Sequence, residues 1–194
     1  MTPPRSDPDT GKRDVILDAA LELFAERGFH GTAVPLVAER AKVGAGTIYR
    51  YFESKEHLVN ALYRREKQRM TAALADGFPF DRPAREQFHV LFERAIVFMK
   101  ANAVSVRFLE LHHHADYLDA ESRALEEQGN AMVEAAFRVS IAQLAMRDLP
   151  PALLVAIVWG VFDGLLRAWS EGRLELSEET VAQAEQCCWE AIRR

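Results

Sequence analysis

Cysteine is almost missing from this chain: Cys187 and Cys188 are the only two in 194 residues. A disulfide framework is therefore not expected, and a reducing, cytoplasmic setting is. Residues 1–11 contain proline, aspartate and threonine but no apolar segment, so they predict a disordered tail and no secretory leader. The longest apolar stretch, Ala152–Trp169, is interrupted by Asp163 and Arg167. A membrane-crossing helix needs about 20 mostly apolar residues, so this stretch is read as a packed helix of a bundle or dimer, with no membrane partner. An excess of positive charge is lacking too. The formal net charge is −5, and residues 1–55 carry eight basic and eight acidic side chains, which leaves the negative excess to the remainder. Affinity for nucleic acid must then be argued from local placement. No nucleophile elbow, phosphate loop or nucleotide fingerprint occurs, so no catalytic residue, metal or cofactor is assigned and an enzyme is not expected. Strand alternation and internal repeats are absent as well.

What is present is helix. A hydrophobic content of 49% is enough for a buried core, and the expected fold class is all-α. Residues 12–27 place Ile16, Ala19, Ala20, Leu23 and Phe24 on one face of a 3.6-residue period, and Gly28 ends that helix in the left-handed conformation. Further helices are predicted over about 33–41, 45–52, 54–75, 84–101, 103–115, 119–147, 151–171 and 178–193. Ser54 and Ser177 serve as N-caps of two of them. Pro79 and Pro83 lie in a loop, and Pro151 opens a helix.

The second and third helices, joined at Lys42-Val43-Gly44, have the proportions of a helix-turn-helix. Val37, Ala38, Ala41, Val43, Ile48 and Phe52 supply its small core. Ala45 and Gly46 are small enough to let the third helix's N-terminus approach a phosphate closely. Thr47 and Tyr49 can donate hydroxyl protons to phosphate. Arg50 can read a guanine edge, and Tyr51 can pack on a thymine methyl or bond phosphate. Lys55, just after Ser54, can clamp backbone phosphate. Composition alone leaves this reading level with a helical corner whose aromatics are only core.

The run Gly28-Phe29 to Thr47-Ile48-Tyr49-Arg50-Tyr51-Phe52-Glu53-Ser54-Lys55-Glu56-His57-Leu58 resembles the N-terminal domain of the tetracycline-repressor (TetR) family. The resemblance covers about a third of the chain. It implies an N-terminal three-helix helix-turn-helix DNA-binding domain over residues 12–55. Residues 56–194 would then form a C-terminal helical effector-binding and dimerisation domain. It also implies a homodimer on double-stranded, palindromic operator DNA, acting most often as a repressor and modulated by a small, largely apolar effector. Thr47, Tyr49, Tyr51 and Lys55 carry over as DNA contacts, with Arg50 as a variable base reader. Three positions depart from the family pattern. Ala33 and Leu36 remove a capping box, so Thr32 is expected to cap the second helix and face the DNA. Lys42 replaces the turn glycine; it either strains a left-handed backbone or shifts the turn, and it can add a phosphate contact. Gly44 stands where a serine cap is usual.

Beyond residue 60 the resemblance is weak and the residues speak for themselves. Phe92, Phe108, His112, Met132, Phe137, Trp159 and Phe162 are the candidates for an apolar effector pocket, with bundle core as the alternative for each. The His112-His113-His114 run and the Glu86–His89 and Glu110–His113 spacings invite a metal reading. Glu86 and Glu110, however, point away from their apolar stripes, and adjacent histidines fan around a helix. Cys188 shares a stripe with Val181, Ala184 and Ile192, whereas Cys187 does not. Gly160 and Gly164 suit close helix packing, and the last two helices are expected at the dimer interface. A metal-dependent bundle using His89, His112 and His113, and a helical adaptor without DNA binding, are the competing classes.

Overall fold

The computed structural model describes residues 8–112 and 116–194. Among them run nine α-helices: α1 Pro8–Arg27, α2 Val34–Arg40, α3 Ala45–Tyr51, α4 Lys55–Ala75, α5 Ala84–Ala101, α6 Ala103–His112, α7 Ala120–Ala142, α8 Pro151–Ser170 and α9 Glu178–Ile192. The only β-type pairing among the described residues is an isolated bridge between Met146 and Arg193. The all-α expectation holds, and the starts of α3, α5, α8 and α9 fall where the sequence predicts them. His113 and His114, with the expected last turn of α6, lie outside the described residues.

Two boundaries differ. α1 begins at Pro8 rather than Lys12, since proline is well accommodated in a first helical turn, where its missing N–H has no partner to lose. α7 stops at Ala142 rather than near Arg147. There Leu144 takes a φ of 60°, and the Ala145 N–H reaches back to the Ser140 carbonyl at 3.0 Å. That six-residue closure is the glycine-type helix stop, made here by leucine at a strain of about 1 kcal/mol.

The chain divides into two compact units. One runs to Gln68 and takes in Val104–Leu125; the other comprises Arg69–Ala103 and Glu126–Arg194. The first is built around the buried faces of α1 (Ile16, Leu17, Ala20, Leu23, Phe24), α4 (Leu58, Val59, Leu62, Tyr63) and α6 (Phe108, Leu109). Phe24 touches the Phe29 ring at 6.2 Å and the Phe108 ring at 6.4 Å, centroid to centroid.

In the second unit, α5 contributes Phe88, Phe92, Ile96 and Met99, α7 contributes Phe137, α8 contributes Leu154, Val158 and Phe162, and α9 contributes Cys188, Trp189 and Ile192. Each such burial stabilises by about 1.5–3 kcal/mol for the larger side chains. By length and composition alone α8 could cross a membrane. In the single chain only Leu154, Val158 and Phe162 of α8 are buried, and the small residues Ala152, Ala156, Gly160 and Gly164 stand exposed at every fourth position.

Candidate nucleic-acid interface

The head is assembled from its turns. α1 stops because Gly28, at φ 67°, turns the chain out of the helix, with its N–H on the Phe24 carbonyl at 2.9 Å. At Gly31 the backbone passes so close to Arg27 that an added Cβ would sit 2.4 Å from its carbonyl oxygen, so only glycine fits. Thr32 is then turned inward. Its hydroxyl donates to the carbonyls of Leu23 at 3.1 Å and Gly28 at 2.9 Å, and the residue is 1% exposed. This corrects two expectations: Thr32 neither caps α2 nor faces a partner, because its hydroxyl turns back onto the carbonyls of Leu23 and Gly28 where the chain leaves α1. The cap of α2 is Ala33, with no side-chain hydrogen bond.

α2 ends with the Lys42 N–H on the Glu39 carbonyl and the Val43 N–H on the Ala38 carbonyl, at 3.1 and 3.0 Å. Lys42 therefore occupies the left-handed position of a helix stop, at φ 54°. The turn has not shifted; a lysine holds the glycine position at a cost of about 1 kcal/mol, and its side chain is exposed. Gly44 then starts α3, as expected, without a side-chain cap.

In α3, Ile48 is buried and Phe52 closes the helix from the core side. Ala45, Gly46, Tyr49 and Arg50 are exposed, while Thr47 and Tyr51 are half-buried. The exposed four fall at i, i+1, i+4 and i+5, so they share one face. Tyr49 is 55% exposed, and the Arg50 guanidinium lies 6.0 Å from the Tyr51 ring. Lys55 behaves otherwise than the sequence predicts. Its ammonium donates to the carbonyls of Phe29 at 2.9 Å and Thr32 at 3.2 Å and sits 4.0 Å from the centre of the Phe29 ring. Instead of standing free as a phosphate clamp, it ties the start of α4 to the turn that leads into α2.

The charges of the head are sorted. Asp18 pairs with Arg65, Glu22 with Arg40 and Glu26 with Arg27. Among the described residues Lys12, Arg13, Lys42 and Arg50 form no ion pair. Two polar ties went unforeseen because their partners are distant in sequence. The Asn60 amide donates to the Tyr117 carbonyl at 2.9 Å and accepts from the Asp119 N–H at 2.8 Å. Arg64 pairs with Asp119 at 2.8 Å and also donates to Ser122. Burial pushes the Asp119 carboxyl up, but the Ser122 and Arg64 hydrogen bonds outweigh it and hold the carboxyl below its ordinary value.

The seven pocket candidates fall in different places. Phe108 and His112 belong to the first unit, their rings 4.6 Å apart. Phe92, Phe137 and Phe162 lie in the core of the second unit, with Trp159 packed against it. Met132 is 47% exposed, which corrects its assignment to a closed apolar lining within this chain. His112 is 1% exposed and bonded through Nδ1 to the Tyr117 hydroxyl. Burial, partly offset by the Phe24 carbonyl, brings its pKa down to about 4. Burial likewise raises Tyr117 to about 12.

The depressed His112 has a consequence for stability. Below the ordinary pKa of about 6.5 the unfolded chain takes up a proton that the folded chain refuses. Stability is thus fully present above pH 6.5 and falls as pH drops toward 4, by about 3 kcal/mol from this group. Urea unfolding between pH 7 and 4.5 should show the loss, and His112→Phe should flatten that slope. An identical slope in the variant would assign the loss to other groups.

His89, offered above as a metal ligand, has both ring nitrogens occupied by carboxylates: Nδ1 by Glu185 at 2.8 Å and Nε2 by Glu93 at 3.5 Å. Arg85 completes the set by pairing with the same buried Glu185. Cys188 is packed, as its stripe predicts, and burial beside Cys187 raises its thiol to about 11.

The sequence profile of bacterial regulatory proteins of the tetR family matches residues 16–62, and that of the tetracyclin repressor-like C-terminal domain matches residues 63–194. The chain belongs to the TetR family. It is a DNA-binding transcriptional regulator, and the exposed face of α3 is that of a TetR helix-turn-helix. Among curated relatives, the HTH-type transcriptional repressor KstR of Mycolicibacterium smegmatis is 42% identical over 82 residues, 40% of this chain and 40% of that protein. A TetR-family protein of Vibrio parahaemolyticus superposes with a TM-score of 0.76 at 27% identity, covering 94% of this chain and 99% of that one. A TetR-family regulator of Marinobacter aquaeolei VT8 gives 0.79 at 26% identity, covering 95% and 97%.

Proposed function

We propose that this TetR-family protein is a cytoplasmic homodimeric repressor. It inserts α3 of each protomer into successive major grooves of a palindromic operator and is released by a small, largely apolar effector held in the region 56–194. The observation that carries this reading is the sorting of α3: Ile48 and Phe52 are buried, while Tyr49 and Arg50 stand exposed beside Ala45 and Gly46. In this reading Thr47, Tyr49 and Lys42 hold phosphates, Arg50 reads a guanine edge and Tyr51 meets a thymine methyl.

Dimerisation is supported by the exposed faces of α8 and α9. Ala152, Ala156, Gly160 and Gly164 repeat at fourfold spacing on α8, and a shallow groove on α9 is lined by Glu179, Ala182, Gln183, Gln186 and Cys187. The phenylalanines 92, 137 and 162 with Trp159 favour an apolar effector. Binding-site selection from random duplex DNA tests the whole reading. It should enrich inverted half-sites about one helical turn, roughly 34–36 Å, apart, and the protein should sediment as a dimer. An unenriched pool would sink the proposal.

A further inference from the structure

We infer that Arg13, at the start of α1, is an additional phosphate contact at the far end of the reading helix. The inference rests on the DNA-reading function proposed above for α3. In sequence Arg13 is remote from the helix-turn-helix, and nothing in its neighbourhood marks it. In the fold its guanidinium carbon lies 5.4 Å from the centre of the Phe52 ring, and Phe52 is the residue that caps the C-terminus of α3.

The ring is 1% exposed and fixed by the core, with the His57 ring edge-on at 5.9 Å. It is therefore a rigid platform. A guanidinium held over it, on an exposed residue, has little rotamer freedom left to lose on binding. Three acids of α1, Asp18, Glu22 and Glu26, are each paired with another arginine. Asp14 and Glu53, its nearest acids along the chain and next to Phe52, form no ion pair with it among the described residues.

Three of the four cations of the head that form no ion pair, Lys12 being the fourth, border α3. Lys42 lies before its N-terminus, Arg50 is on its face, and Arg13 is under its C-terminus. Seven helical residues span about 10 Å, close to the roughly 12 Å width of a major groove. Cations at the two ends of such a helix are spaced to meet the two phosphate walls. Arg13 therefore contributes affinity and orientation without reading sequence.

The test is the salt dependence of binding, which a purely structural role would not change. Wild type, Arg13→Gln and Arg13→Lys are titrated, from 50 to 200 mM salt, onto the selected operator and onto a random-sequence duplex of equal length. Arg13→Gln should weaken binding to both duplexes by the same factor, roughly 3- to 10-fold. Its log K against log salt should be shallower by about 0.9 for each phosphate that the arginine no longer neutralises, one per protomer bound. Arg13→Lys should restore the slope. A wild-type slope in Arg13→Gln overturns the phosphate contact, whether or not affinity falls, and so does a weakening confined to one duplex. A wild-type protein that binds neither duplex overturns the phosphate contact together with the DNA-reading function.

Discussion

Glu66→Ala is expected to lose about 3–5 kcal/mol of folding stability, the range for removing one partner of a buried ion pair. Glu66 is 0% exposed. Its carboxylate accepts from the Ser105 hydroxyl of α6 at 2.7 Å and from Arg65 Nε at 2.8 Å. Arg65 continues the chain to Asp18 of α1, also at 2.8 Å. The alanine variant strands a buried hydroxyl and takes from Arg65, only 18% exposed, one of its two acidic partners, and both lose an acceptor that water cannot readily replace.

A double replacement, Arg65→Met with Glu66→Met, should cost far less than Glu66→Ala alone, because both charges then avoid desolvation. Equilibrium urea unfolding of the three proteins decides. A loss below about 1 kcal/mol for Glu66→Ala would mean that the carboxylate contributes little.

This tie bears on function through α4. Apolar ridges on two helices can slip past one another by a turn at modest cost, but a buried carboxylate cannot move without leaving its donors. Ser105–Glu66 fixes α6 against α4. One turn further on, Asn60 and Arg64 fix the segment after α6 through Tyr117 and Asp119. At the other end of α4, Lys55 holds the turn before α2 through the Phe29 and Thr32 carbonyls, while Tyr117 stacks on the Phe29 ring at 4.0 Å. The helix-turn-helix thus inherits its position from α4 and α6 by hydrogen bonds and ring contacts, not by apolar packing alone.

Much of this framework is legible in the sequence where the information is local. Gly28 marks the end of α1, and Ser54 and Ser177 accept from the N–H groups of His57 and Thr180 as N-caps should. The periodicity of apolar residues sorts Ile48 inward and Tyr49 outward. What stays hidden depends on direction and distance. A threonine or lysine next to a DNA-reading motif looks the same in sequence whether its polar atom faces solvent or a backbone carbonyl, so the inward turn of Thr32 and Lys55 cannot be read there. Lys42 and Leu144 occupy left-handed stops that a rule looking for glycine passes over at Leu144. Glu66, Asn60 and Glu185 find partners 39 to 100 residues away, beyond any local pattern. The pocket candidates scatter because an apolar stripe announces burial without naming the neighbour that covers it.

The face of α3 carries the other large effect. Tyr49→Ala is expected to weaken operator binding more than 100-fold while leaving the fold intact. Tyr49 makes no hydrogen bond or ring contact among the described residues and is 55% exposed, so its removal should change stability by no more than about 0.5 kcal/mol. In the complex its hydroxyl is assigned to a phosphate oxygen. A hydrogen bond to a charged group contributes about 1.5–3 kcal/mol. A symmetric dimer makes that bond twice, so the variant forfeits about 3–6 kcal/mol, which exceeds two powers of ten in affinity.

Tyr49→Phe separates the hydroxyl from the ring. If phosphate is the partner, the phenylalanine variant should bind almost as poorly as the alanine one, and equally so on every operator variant. If the ring instead packs on a base, Tyr49→Phe should keep most of the affinity and Tyr49→Ala should alter sequence preference. Unchanged retardation of operator DNA by Tyr49→Ala would remove Tyr49 from the interface altogether and leave Arg50 as the residue on which recognition by α3 must rest.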